Sequence, residues 1–120
     1  MLTRINLAEK LSRFSDHWNP RIIADVNDHQ VKLVKVQGEF AWHSHADEDE
    51  MFLVIHGELT IELRDGAVTL GPGEMVVIPK GAEHRPVARE EVHLMLLEPR
   101  ATKHTGDVET ELTRHELQRI

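Results

Sequence analysis

The chain of 120 residues contains no cysteine, and no apolar run in it approaches the roughly 18 residues that a membrane-spanning helix needs. The lack of cysteine excludes disulfide bonds, a thiolate nucleophile and a zinc finger built on sulfur. The segment from Met1 to Phe14 interrupts its apolar positions with Arg4, Glu9 and Lys10. We therefore expect no export signal, no membrane partner and a cytoplasmic location.

Positive charge is also scarce. Fourteen lysines and arginines stand against twenty-one aspartates and glutamates, which gives a formal net charge of -7. Such a balance disfavours nucleic acid and anionic membrane surfaces as partners. A chain of this length is near the usual size of one domain and can bury roughly two-thirds of its unfolded surface. We expect one domain over residues 1–120 that acts on or binds a small molecule.

The first twenty residues differ in pattern from the rest. Leu7, Leu11 and Phe14 recur at helical spacing, and Asn6 can cap that turn, so residues 1–20 are predicted to contain a short amphipathic helix. The tail, residues 99–120, turns polar and then carries apolar residues at loose helical spacing. It is expected to pack weakly across the rest of the domain.

Residues 21–98 contain short runs of valine, isoleucine and leucine between polar or glycine-containing breaks. The breaks include Asn27-Asp28, Gly71-Pro72-Gly73 and Pro79-Lys80-Gly81, and Asp65-Gly66 is a strong hairpin signal. Many short strands joined by tight turns predict an all-β sandwich or barrel. The candidate strands are Arg21–Val26, Val31–Gln37, Phe40–His43, Glu50–His56, Leu59–Arg64, Ala67–Leu70, Met75–Ile78, His84–Ala88 and Val92–Glu98.

Two histidines one residue apart carry the most specific chemical signal. Residues two apart on a strand point to the same face about 7 Å apart, so His43 and His45 can aim both imidazoles at one point. The acidic run 47–50 that follows offers four carboxylates, and spacing alone does not choose among them. Strand parity favours Glu50, at the start of a predicted strand, and leaves Asp47 to Asp49 in a solvated turn.

These residues match two motifs of a known family. Gly38-Glu39-Phe40-Ala41-Trp42-His43-Ser44-His45, then Glu50 and Gly57, resembles the first motif of the cupins. Gly73, Pro79-Lys80-Gly81 and His84 resemble the second, fifteen residues further on. The resemblance implies a double-stranded β-helix barrel with a divalent metal held by His43, His45, Glu50 and His84. Iron, manganese, nickel, cobalt, copper and zinc are all acceptable to such ligands.

The other histidines show no such pattern. His56 lies six residues beyond Glu50, about 20 Å along a strand, and cannot reach the same ion. His93 can face the pocket as a proton-transfer group or face outward, and the outward orientation is favoured. The remaining four are expected to be solvated: His17, His29, His104 and His115.

Strand parity also assigns the residues beside the proposed ligands. Phe40 and Trp42 are expected to point opposite to His43 and to serve packing or dimer contacts, while Arg85 is expected to point away from the metal. Apolar surface of this kind on a barrel with open strand edges predicts a homodimer, which is also a common association of cupins.

Three histidines and one carboxylate leave two adjacent positions on a six-coordinate ion and favour anionic or chelating oxygen ligands. The leading hypothesis is a metal-dependent enzyme, isomerase-like or dioxygenase-like, acting on an oxygen-rich small molecule. Short cupins of this type are similar to the barrel of mannose-6-phosphate isomerases. The alternative is a non-catalytic ligand-binding module, and a third interpretation is a barrel without metal. A titratable group in the pocket wall would distinguish an enzyme from a binder; the sequence indicates no catalytic residue.

Overall fold

The computed structural model describes residues 2–106, 108–114 and 116–120, so the expectation for His115 lies outside the described residues. Within these ranges the chain forms one short helix and seven strands. The all-β class with a short N-terminal helix is therefore confirmed. The elements are α1 (Leu7–Leu11), β1 (Arg21–Val26), β2 (His29–Glu39), β3 (Glu50–His56), β4 (Leu59–Leu63), β5 (Gly66–Leu70), β6 (Met75–Ile78) and β7 (His84–Pro99).

The long strand β7 organises the antiparallel sheet. The strand order is β1-β2-β7-β3-β6, and β4 pairs with both β5 and β7. The first residues of β7 pair with β4, from His84 opposite Leu63 to Val87 opposite Thr60, whereas its second half pairs with β2 and β3. Because one strand bends through both halves of the barrel, β7 brings His84 close to the interior-facing residues of β3.

Four predicted assignments were wrong. Strand β2 extends two residues beyond the predicted Val31–Gln37 at each end. Residues 40–43 form no strand; only His43 makes an isolated bridge, with His84. The two strands predicted on either side of Arg89–Glu91 are one, because these polar residues lie where the register of β2 against β7 shifts. The hairpin between β4 and β5 turns at Arg64-Asp65, one residue earlier than predicted, because Gly66 already pairs with Leu63.

Alternate residues of the strands fill the barrel interior. In β3, residues Glu50, Phe52 and Val54 are buried while the intervening residues are partly exposed, as parity predicted. Burying one such side chain is worth about 1.5–3 kcal/mol. The interior cluster comprises Val34, Val36, Phe52, Val54, Leu59, Ile61, Leu70, Ile78, Ala88, Val92, Leu94 and Leu96.

Both ends of the chain cover the outside of the sheet. Asn6 caps α1, since its side chain accepts a hydrogen bond from Glu9 N at 2.9 Å. Leu11 and Phe14 then pack on the outward side of β1 and β2. The described part of the tail contains no helix, contrary to its loose helical spacing, and its last residues extend along β1 with Ile120 N bonded to Ile22 O at 3.0 Å. None of the helices in the described ranges is long or apolar enough to cross a membrane.

Candidate metal centre

Two short backbone connections place the candidate ligands. His43 and His84 exchange backbone hydrogen bonds of 3.0 and 2.9 Å, which brings the two motifs side by side. His45 O accepts from Gly81 N at 2.7 Å, so the turn before His84 is tied to the second histidine as well. Glu50 opens β3 opposite Ile78. All four predicted side chains therefore enter the barrel at one place.

The four side chains converge in a closed environment. One ligand atom from each of His43, His45, Glu50 and His84 lies within 4.8 Å of all the others. None of these residues is more than 4 % exposed. The Nε2 atom of His45 is 2.7 Å from Glu50 Oε1, and that of His84 is 3.6 Å from the same oxygen.

Backbone carbonyls fix the tautomers of two of the imidazoles. His43 Nδ1 donates to Ala41 O at 2.8 Å, and His84 Nδ1 donates to Ala82 O at 2.9 Å. Each carbonyl lies two residues before its histidine, and a carbonyl can only accept. The proton of each neutral ring is therefore on Nδ1, and Nε2 keeps its lone pair. Outer hydrogen bonds of this kind orient histidines that ligate metals.

Three polar atoms at the centre have no hydrogen-bond partner among the described residues: His45 Nε2, Glu50 Oε1 and His84 Nε2. The short His45–Glu50 distance lacks the orientation of a hydrogen bond. Buried polar atoms are normally satisfied, and each orphan costs about 1–3 kcal/mol. A divalent cation among the three imidazoles and the carboxylate would satisfy all of them. The residues fit a metal by donor type, burial and direction.

Charges around the centre shift the pKa values of its ligands. Burial, helped by His84, lowers the pKa of His43 to about 4, so its ring is neutral and able to ligate. Burial opposes ionisation of Glu50, but contact with Glu98, His45 and His84 outweighs it and holds the pKa well below its usual value. Burial and the adjacent Glu50 raise the pKa of Glu98. The centre thus keeps the Glu50 carboxylate ionised and the His43 imidazole neutral.

An apolar cavity of about 40 Å³ adjoins His43 and Glu50. Phe40 lines it and lies edge-on to the His43 ring at 5.4 Å, so the prediction that Phe40 points away from His43 was wrong. Parity failed because residues 40–42 are not a regular strand. Trp18 stacks on Phe40 at 4.6 Å and closes the cavity from the N-terminal segment.

His104, from the tail, also lines this cavity and is only partly exposed, so the expectation of a solvated side chain was wrong. Its Nε2 donates to Leu112 O at 2.8 Å, and its Nδ1 has no partner among the described residues. Burial lowers the pKa of His104. A neutral imidazole with a free lone pair therefore faces the same space as His43 and Glu50.

Comparison with known proteins identifies the fold family. The sequence matches the family described as Cupin domain over residues 30–100, more than half of the chain. This chain is a cupin. A cupin-2 domain containing protein from Shewanella frigidimarina is 58% identical, with a TM-score of 0.79 over 80% of this chain and 94% of the other. Protein NMB1881 from Neisseria meningitidis is 34% identical, with a TM-score of 0.74 over 81% of this chain and 99% of the other.

A curated relative matches more locally. YdbB of Bacillus subtilis is 45% identical over 64 residues, which is 52% of this cupin and 57% of the Bacillus protein. The chain therefore aligns with little more than half the length of that relative. The predicted small cupin and its double-stranded β-helix barrel are confirmed by the family match and by these solved structures.

The tail of this cupin lies directly over the centre. Gly106 has a positive φ of 62°, and a Cβ placed there would be 2.2 Å from Ser44 O and 3.1 Å from His43 Cδ2. Only glycine fits so closely. A second cavity, of about 370 Å³, is lined by His45 together with residues of this tail segment. The segment 101–106 consequently covers the centre on the side of His43 and His45.

Arg85 and the histidines outside the candidate ligand set, other than His104, lie away from the centre in the described part of the chain. Arg85 points away from the centre to Glu62 and Glu39, as predicted, and its guanidinium lies 5.5 Å from the Trp42 ring. His93 lies on the outward side of β7, bonded to Glu91 at 2.9 Å, which agrees with the favoured orientation. The remaining histidines lie away from the centre: His56 is exposed, His17 bonds to Glu91 and His29 to Asp28.

Sequence reasoning missed two charged residues inside the barrel. Lys32 and Glu98 are bonded at 2.7 Å and are almost wholly inaccessible. Strand parity could have found them. Lys32 lies on the same strand face as Val34 and Val36, and Glu98 lies on the same face as Leu96. A lysine and a glutamate on interior faces of neighbouring strands predict each other. His104 carried no comparable signal, because it lies outside the barrel strands.

Proposed function

We propose that this cupin binds one divalent metal ion through His43, His45, Glu50 and His84. The convergence of three unpartnered buried atoms on one point carries the proposal, because protein side chains alone leave them unsatisfied. The donor set suits iron, manganese, nickel, cobalt, copper or zinc. When bound, the metal would act as a Lewis acid towards oxygen atoms of a ligand.

We further propose that the protein is an enzyme, isomerase-like or dioxygenase-like, acting on an oxygen-rich small molecule. Among the described residues that line the apolar cavity, His104 is the one titratable side chain that is not a candidate ligand. Its Nδ1 lone pair is free while Nε2–H is held by Leu112 O. His104 can therefore accept a proton from a ligand in the cavity. A wall without such a group would have favoured the alternative, a non-catalytic ligand-binding module.

Access sets a condition on this activity. A water molecule needs about 10–15 Å³ of cavity volume. The apolar cavity, of about 40 Å³, therefore holds a few waters at most. A sugar or diketone does not fit in this cavity, beside His43 and Glu50, while the tail is in place. Its entry there therefore requires segment 101–106 to move, after which Phe40 and His104 would contact it. Movement of a covering segment is a common step in enzymes.

Elemental analysis of protein purified without chelators tests the metal proposal. We expect about one divalent ion per chain, lost in His43→Gln and His84→Gln because each removes a ligand. His29→Gln is the matched control, since its side chain is 43 % exposed and bonds to Asp28, away from the four candidate ligands. The proposal would be contradicted if the unaltered protein and His29→Gln were both folded at neutral pH and both contained no metal.

The catalytic proposal has its own experiment. Oxygen consumption and isomerisation are measured over a panel of diketones and sugars, with His104→Gln beside the unaltered protein. Glutamine can keep the donor to Leu112 O but removes the acceptor, so turnover should fall while metal content is unchanged. Binding of a panel member with no turnover in either protein would favour the non-catalytic module.

Several further proposals rest on the composition of the chain and on its family. We retain a single domain over residues 1–120, a cytoplasmic location, no nucleic-acid partner, the similarity to the barrel of mannose-6-phosphate isomerases and a homodimer. Phe40 does not support the dimer, because it faces the interior. The edge strand β6 supports it better, since Met75 and Val77 are exposed there. The mass in solution tests this proposal.

A further inference from the structure

We propose that the cavity between the tail and the start of β2 is a binding site for an oxyanion group, a carboxylate or a phosphate, of a small ligand. The cavity has a volume of about 430 Å³. Sites for small ligands commonly measure about 300–1,000 Å³. Its wall contains four cationic side chains, Lys32, Arg100, Lys103 and Arg114, and no carboxylate among the described residues that line it.

The concentration of positive charge is unusual for this chain, whose net charge is -7. Two of the cations are already paired, Lys32 with Glu98 at 2.7 Å and Lys103 with Glu109 at 2.9 Å. Arg100 and Arg114 form no ion pair with a carboxylate in the described part of the chain. Their bonds go to backbone carbonyls, as in the contact of Arg114 Nη1 with Glu111 O at 3.1 Å. Arg100 lies near enough to Asp25 and Asp28 for its charge to help lower their pKa values, but it forms no ion pair with either. Two guanidinium groups of the wall are therefore available to pair with an anion.

Guanidinium groups suit oxyanions in particular. Their planar array of N–H donors matches carboxylate and phosphate oxygens in pairs. The rest of the wall adds to this preference. Lys32 is only 1 % exposed, so its charge acts on a ligand from beneath the cavity surface and not through a direct hydrogen bond to that ligand. Thr102 is 7 % exposed, and its hydroxyl has no partner among the described residues. A neutral ligand would leave the two arginines without an anionic partner.

The cavity is distinct from the candidate metal centre. None of His43, His45, Glu50 and His84 lines it, and His104 stands in the wall between the two spaces. The two proposals can therefore fail separately. Oxyanion binding requires the arginines and no metal, whereas metal binding requires the histidines and no arginine.

Calorimetric titration of the full-length protein at constant ionic strength tests the site, with inorganic phosphate in one arm and malonate in the other. We expect saturable binding in at least one arm, and the stronger arm identifies which oxyanion the cavity prefers. Arg100→Gln and Arg114→Gln should each weaken it about tenfold, because each removes a charge-assisted hydrogen bond. Arg100 is exposed and Arg114 is partly exposed, and unfolding midpoints measured without anion show whether the variants are folded.

Two further variants distinguish an anion bound in this cavity from one bound elsewhere on the protein. Arg89→Gln removes an exposed arginine on β7 that does not line the cavity, and it should bind as the unaltered protein does. His43→Gln should also retain binding. Three outcomes overturn the proposal: no saturation in either arm, equal weakening by Arg89→Gln, or loss in His43→Gln with retention in the two arginine variants. The last would place the anion at the metal.

Discussion

Lys32 Nζ donates a hydrogen bond of 2.7 Å to Glu98 Oε1 inside the barrel, and the two side chains are 1 % and 0 % exposed. Glu98 in turn lies beside Glu50, whose low pKa keeps it ionised, while burial and Glu50 raise the pKa of Glu98. A proton on Glu98 can therefore be shared with the Glu50 carboxylate. Lys32, Glu98 and Glu50 form a buried polar chain that ends at the candidate metal centre.

This arrangement predicts opposite results for two substitutions at Glu98. Glutamine resembles a protonated glutamate, with an oxygen for Lys32 and N–H donors for Glu50, so Glu98→Gln should change the free energy of unfolding by less than about 1 kcal/mol. Leucine leaves the Lys32 ammonium buried without an acceptor, so Glu98→Leu should cost about 3 kcal/mol or more. Urea unfolding of both variants measures the difference.

An exposed pair provides the control for that comparison. Arg13 and Glu9 also lie 2.7 Å apart, but their side chains are about half exposed, and Glu9→Gln should cost less than about 1 kcal/mol. If Glu98→Gln lowered the free energy of unfolding as much as Glu98→Leu, Glu98 would have to be ionised in the folded protein. The proposal that Glu98 and Glu50 share a proton would then be wrong.

Much of this site could be predicted from the sequence because its ligands lie in local motifs. The His43-Ser44-His45 spacing, the position of Glu50 at a strand start and the turn before His84 are short-range features, and all four side chains converge as expected. Three predicted strands have the observed bounds for the same reason: Arg21–Val26, Glu50–His56 and Met75–Ile78. Alternation and turn residues report on neighbours in sequence.

The errors share a different cause. Phe40 was misassigned because Gly38, with a φ of 91°, ends β2 nearby and the next residues leave the strand conformation. The burial of His104 depends on a tail that folds back over residues about sixty positions earlier in the chain. No local pattern reports such a contact. The pairing of Lys32 with Glu98 was within reach of strand parity, because each side chain shares a face with buried apolar residues of its own strand.

Metal binding should stabilise the folded protein. A ligand that binds only the native state at a hundred times its dissociation constant adds about 2.7 kcal/mol to the free energy of unfolding. Treatment with a chelator should therefore lower the unfolding midpoint. Adding back the metal that the purified protein contained should restore it. His84→Gln should show no response to either treatment. An equal response in His84→Gln would place the stabilising ion elsewhere on the chain.

Gly106→Ala should loosen the tail over the centre. The added Cβ would meet Ser44 O at 2.2 Å, so the segment that carries it has to withdraw. We expect a chelator to remove metal several times faster from this variant, because segment 101–106 covers the centre beside His43 and His45. Stopped-flow measurement of metal release checks the rate.

Gly73→Ala is the matched control for that substitution. Gly73 also has a positive φ, 81°, but a Cβ there meets nothing within 4 Å. Both changes carry the cost of a left-handed alanine, about 1–2 kcal/mol. Only Gly106→Ala disturbs the tail. Equal release rates in the two variants would show that the tail does not limit access to the centre.

Packing of the tail should weaken on acidification through His104. Burial lowers the pKa of this ring, with help from the charges of Arg114 and Lys32 and against the opposing effects of the Leu112 carbonyl and Glu50. The buried form is neutral, whereas an undocked His104 titrates near its ordinary value of 6.5. The undocked tail thus binds the proton more readily, so docking is favoured above about pH 6.5 and is lost as the pH falls through the lowered pKa.

Two measurements test this dependence. The ring protons of His104 followed by NMR should titrate with a midpoint below 6.5, and exchange of the Gly106 amide, which is bonded to Lys103 O at 2.8 Å, should accelerate over the same range. His104→Gln should remove the acceleration, because glutamine does not titrate. His56→Gln should keep it, since His56 is exposed and lines neither of the cavities that His104 lines. A His104 midpoint at or above 6.5 would mean that the ring is not buried in solution, and the tail would then leave the metal centre open at neutral pH.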